Sequence, residues 1–220
     1  MTDILNELDA VQRETGHRRL DTGEDRTVVL RRRYDAPIED VWDAVTNPDR
    51  INRWFLPISG DLRLGGTYQL EGNAGGEILR CEPPRLLKVT WVFGDPAQFG
   101  VGEVELHLSP AGDGVTEFEL EHAGLGGDHW AEFGPGAVGV GWDLTLLGLG
   151  QHLRGGSIAD PDAWTRSPEA RQFMTRSSTA WGEALKATGA ATAEVDRMVE
   201  NTTRAYAPDP DATRNRDTCD

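Results

Sequence analysis

His122, His129, Asp143 and His152 are the residues of this chain from which acid–base chemistry could be built. An imidazole with a near-neutral pKa can take a proton from an ester-like substrate or return one. His122 ends the alternating run Val115 to His122, and His129 lies in the glycine-rich stretch Gly124 to Gly136. Their spacing fixes no mutual geometry. His122, His129 and Glu132 show no recognised metal-ligand spacing. No GxGxxG or GxxxxGK sequence falls between a strand and a helix, so no nucleotide and no cofactor is expected. No catalytic residue is assigned, and His122 and His129 stand as polar or acid–base candidates.

These residues flank or enter GPGAVGVGWDLTLLGLGQHL, Gly134 to Leu153. It predicts a long helix over about 137–154, although Gly139, Gly141, Gly148 and Gly150 fall inside it. Each interior glycine costs about 1 kcal/mol relative to alanine. Either something packs close to this helix or the small residues preserve an open space. The C-terminal helices or a second subunit would be the close neighbour. Val138, Trp142, Thr145, Leu146, Leu149 and Leu153 share one stripe. A ligand pocket needs apolar walls and a few polar groups. The stripe supplies the wall and Thr145 a polar group. Trp54, Phe55, Tyr68, Trp91, Phe93 and Trp130 are the aromatic candidates for wall or mouth.

Upstream, 3–13 predicts a short amphipathic helix and 16–25 a polar linker. The first strand is expected over 26–34. Pro37 then opens a helix with Val41, Trp42 and Val45 inward, and Asn47-Pro48 starts another that leads to Trp54. Strands follow over 60–64, 67–71, 76–82, 86–93, 102–108 and 115–122, separated by glycine and proline turns. Val104, Leu106 and Leu108 alternate with Glu103, Glu105 and His107, the mark of strands wet on one face. Spacing this tight excludes strand–helix–strand units and predicts an antiparallel meander. Further helices are expected over 168–187 and 191–206. Arg31, Arg32 and Arg33 alternate faces and should pair with acidic neighbours rather than form a basic patch.

The segments YDAPIEDVWDAVTNPDRINRWF, DLRLGGTYQL, LLKVTWVF and GVGWDLTLLGL resemble the helix-grip superfamily. That group, also called SRPBCC or START-like, holds pollen-allergen-like proteins, steroidogenic lipid-transfer domains and polyketide cyclases. Similarity is greatest to the bacterial homologues of the activator of Hsp90 ATPase, over roughly 26–154. The extension SPEARQFMTRSSTAWGEALKATG resembles that of an actinobacterial subgroup. The resemblance implies an α+β helix-grip fold, with a curved antiparallel sheet wrapped around a long C-terminal helix and extra C-terminal helices. It implies a cavity for a small hydrophobic or aromatic molecule. The alternatives are a polyketide cyclase-like or hydrolase-like enzyme and a co-chaperone-like interaction module. The family has no universal catalytic motif, so no catalytic role carries over.

The expected division is 1–25 N-terminal helix and linker, 26–154 helix-grip domain, 155–207 helical extension and 208–220 flexible tail. The 220 residues carry 37 acidic and 22 basic side chains, a formal charge of −15. Such a surface repels nucleic acid and anionic membranes. Cys81 and Cys219 form no disulfide framework. With no secretory signal and no membrane-length apolar run, a cytoplasmic protein is expected. A homodimer or a chaperone complex are the candidate assemblies.

Overall fold

A computed structural model of the chain describes residues 4–20, 23–95, 100–158 and 160–209. Cys219 and most of the expected 208–220 tail lie outside the described residues. The chain starts with α1 (Ile4–Asp9), β1 (Gln12–Leu20) and β2 (Gly23–Tyr34). Next come α2 (Ile38–Thr46) and α3 (Pro48–Trp54). The meander follows as β3 (Ile58–Gly60), β4 (Thr67–Leu70), β5 (Gly75–Glu82), β6 (Leu86–Trp91), β7 (Gly102–Gly112) and β8 (Val115–Leu125). The helices α4 (Gly127–Phe133), α5 (Gly136–Leu153), α6 (Pro161–Thr165), α7 (Pro168–Lys186) and α8 (Thr192–Tyr206) complete it.

Within the expected linker over 16–25, residues 16–20 and 23–25 lie instead on two paired strands. β1 pairs antiparallel with β2, Gln12 opposite Arg31 and Thr15 opposite Val28. Its alternation was hidden because β1 carries almost no apolar side chains. The expected loop over 124–136 contains α4, a helix of only seven residues.

The expectation of a curved sheet wrapped around the long helix is not met. The sheet is open and antiparallel, in the order β1-β2-β8-β7-β6-β5-β4-β3. A wrap would have to bring its two edges, β1 and β3, towards each other. Instead β1 and β3 stay the two outer strands of the sheet, and α7 packs against β1. α7 and α8 also pack against α5, so helices cover a side of α5 that a wrapping sheet would need.

Strand alternation sorts the residues as expected. Val28, Leu30, Val104, Leu108, Phe118 and Leu120 are buried, while the other face carries ion pairs. Arg31 pairs with Glu14 and Glu119, Arg33 with Glu117, and Arg18 with Glu121 and Glu105. Arg32 points inward to Glu7 at 2.8 Å. The three arginines thus form no continuous patch. Asn47 caps α3 by accepting from the Asp49 N–H at 3.0 Å, with Pro48 in the first turn. Ser167 and Pro168 do the same for α7.

Candidate functional site

A cavity of about 180 Å³ lies between α5, the inner sheet face and the α2–α3 pair. From α5 come Trp142, Thr145, Leu146 and Leu149. Trp54 and Phe55 close it from the end of α3, stacked on each other at 5.5 Å. Tyr68 and Trp91 supply the sheet side, their rings 6.4 Å apart, and Trp91 meets Trp142 at 5.0 Å. These aromatic surfaces converge because β4 and β6 flank β5 and point Tyr68 and Trp91 inward.

Most of the polar atoms on these walls are already committed. Tyr68 donates to the Thr90 carbonyl at 2.8 Å, and burial pushes its phenol pKa up. Thr145 donates to the Gly141 carbonyl at 2.9 Å, within its own helix. Trp54 donates to the Ala44 carbonyl at 2.9 Å, fixing α3 on α2. Arg50 strengthens that junction, reaching Asp40 at 2.6 Å, Asp43 at 3.1 Å and His152 at 3.2 Å. What remains is an apolar, aromatic space with little demand for hydrogen bonds.

Three of the expected wall residues lie elsewhere. Phe93 is 55% exposed, beyond the end of β6. Trp130 is buried on α4 with Arg26 stacked 5.0 Å over its ring. Val138 is half-buried and packs on the core a turn before the cavity begins. Neither candidate histidine lines the space. His122 is buried behind it, and its Nδ1 accepts the indole N–H of Trp142 at 3.1 Å. That bond places the imidazole proton on Nε2. Burial lowers its pKa to about 4, so at neutral pH it is uncharged. His129 is exposed on α4 against Phe133. His152 supports Trp54 from outside at 6.5 Å between rings.

The α5 glycines do not keep the cavity open, since none of them lines it. A Cβ at Gly139 would strike the ring of Trp181 on α7. Gly148 lies beneath Trp54, and Gly150 faces Glu7 and Tyr34. The side of α5 that carries Gly139 and Gly150 also carries Asp143, wholly buried. Arg13 grips it through Nη2 at 2.8 Å and Nε at 3.0 Å, with Ser177 at 2.5 Å and Trp181 at 3.1 Å. Burial pushes the Asp143 pKa up, and Arg13, Ser177 and Trp181 act against that.

The sequence reading missed the mouth. Arg63, Leu62 and Leu64 line the cavity from the Asp61–Gly66 loop. The loop is sewn to β5 by Gly65 N–H to Ile78 O and Ile78 N–H to Gly66 O, both 2.9 Å. Gly66 is required there, because a side chain would run into the Asp61 carbonyl. The double glycine was the available signal; it marks the tight loop that carries Arg63.

A long helix across one face of an antiparallel meander, with an apolar cavity between them, defines an SRPBCC-type, START-like helix-grip protein. The chain belongs to the family described as "Activator of Hsp90 ATPase homolog 1-like protein", whose family model matches residues 35–154. It is similar to CalU16 from Micromonospora echinospora at 41% identity. The match to the CalU16 crystal structure covers 80% of this chain and 99% of that one, with a TM-score of 0.66. The CalU16 solution structure gives a TM-score of 0.69 over 81% and 96%. Protein MLL2253 from Mesorhizobium loti matches at 26% identity, over 60% of this chain and 99% of its own, with a TM-score of 0.51. No curated protein matches the chain. Among the described residues, no helix is long and apolar enough to cross a membrane.

Proposed function

We propose that the chain binds a small hydrophobic or aromatic molecule in this cavity. Trp54, Phe55, Tyr68, Trp91, Trp142, Thr145, Leu146 and Leu149 would contact it. The observation that carries the reading is an apolar space walled by aromatic rings whose own polar atoms are mostly satisfied elsewhere. Such a surface gains by excluding water and loses little by being covered with carbon. Membership of a helix-grip family supports the same reading. An enzymatic role for His122 or His129 has no comparable support, because both stand off the cavity wall. A chaperone role rests on the family's name alone and stands second.

Native mass spectrometry of the protein purified from its own host tests the proposal. A reproducible small-molecule adduct, released on unfolding, is the expected result. A protein that is always empty and fails to bind apolar aromatic probes would overturn it.

A further inference from the structure

Of the described residues lining the cavity, Arg63 is the only charged one. Its side chain is 78% exposed, and its neighbour Leu64, also on the lining, is 63% exposed. The cavity therefore meets solvent at the Asp61–Gly66 loop, which carries Arg63. That loop is held by backbone hydrogen bonds to β5, so the main chain that carries Arg63 is set by the sheet. Among the described residues only Nε is engaged, donating to Asp61 at 2.7 Å. A guanidinium presents planar donors suited to a carboxylate, phenolate or sulfonate. The surrounding protein carries a charge of −15, so nothing in its net field attracts an anion. A single cation at the rim of an apolar space is the feature that would select one.

Building on the cavity reading, we infer that the ligand is an aromatic acid, its rings inside and its anionic group at the mouth against Arg63. Among the described residues the interior has no charged side chain to neutralise an anion, which forces the acidic group outward. Asp61 competes for the same guanidinium and keeps the contact weak and exchangeable.

Two fluorescent probes with the same rings separate the two claims. One is 8-anilinonaphthalene-1-sulfonate and the other is uncharged N-phenyl-1-naphthylamine. Displacement of the neutral probe by the sulfonate shows a shared site. Arg63→Gln is expected to weaken the sulfonate about three- to fivefold, the scale of one exposed ion pair, and to leave the neutral probe unchanged. Asp61→Asn, which frees Arg63, is expected to tighten the sulfonate and also leave the neutral probe unchanged. If both probes bind and neither substitution distinguishes them, the acid preference is overturned while the cavity reading stands. If neither probe binds the wild-type protein, the cavity reading fails and takes this inference with it.

Discussion

Two sides of α5 meet two different surroundings. One, with Trp142, Thr145, Leu146 and Leu149, looks into the cavity, and every lining residue lies within the 35–154 span of the family model. The other, with Gly139, Asp143 and Gly150, is gripped by Trp181, Arg13, Ser177, Glu7 and Tyr34. Four of the five lie well outside that span and Tyr34 borders it, while Arg154, its last residue, also approaches Gly150. The family portion thus leaves one side of the helix unfilled, and the added N- and C-terminal segments pack the other tightly. An open sheet alone does not hold a glycine-rich helix; here the additions act as the brace.

The largest contrast should come from Asp143. Asp143→Ala leaves Arg13 buried without its partner and is expected to lower stability by about 3–5 kcal/mol in chemical denaturation. The same variant, under conditions where it remains folded, should bind aromatic probes as the wild type does. Loss of binding in fully folded protein would join the two sides that this account separates.

The cavity side has its own signature in pH. The His122 imidazole titrates near 4 when folded and near the ordinary 6.5 when unfolded. Between those values the unfolded chain holds more protons, so stability rises with pH. Its contribution is complete above about 6.5 and is lost as pH falls towards 4, about 3 kcal/mol in all. His122→Gln keeps an acceptor for Trp142 and should flatten that part of the stability–pH curve. An unchanged slope would mean that His122 is solvated.

Gly139→Ala tests the brace at a smaller scale. Alanine adds about 1 kcal/mol of helix preference, but its Cβ meets Trp181, which is fully buried and cannot withdraw. A net loss of about 1–2 kcal/mol is expected from overpacking. A gain in melting temperature would show that Trp181 yields.

Much of this was legible in the chain. Alternation in β7 and β8 gave the inward and outward faces, and the α5 stripe gave four of the cavity residues. The packed side was harder, because a glycine run does not say which neighbour it admits. Gly139 looked equally suited to sparing a void or receiving a ring, and only the position of Trp181, far along the chain, decides it. The edge strand β1 hid because its residues are polar and its partner supplies the apolar face. Arg63 was invisible as a site residue, since a lone arginine in a loop carries no signal until Ile78 anchors that loop at the cavity. His122 was found as a residue but its place behind Trp142 was not, because spacing gives no depth.

The smallest effect is a difference between two leucines of α5. Leu147 is buried without lining the cavity, whereas Leu149 already faces empty space on one side. Truncation at Leu149 removes fewer contacts, so Leu147→Ala should cost about 1 kcal/mol more than Leu149→Ala in paired unfolding experiments. Equal costs would indicate that the space is filled in solution.

The most direct measurement is an amide and side-chain NMR titration of the full chain with N-phenyl-1-naphthylamine. The account predicts saturable shifts at Trp142, Thr145, Leu146, Leu149, Trp91 and Tyr68, with Gly139, Asp143 and Trp181 undisturbed. Shifts confined to the outer surface, or absent at the cavity residues, would contradict it.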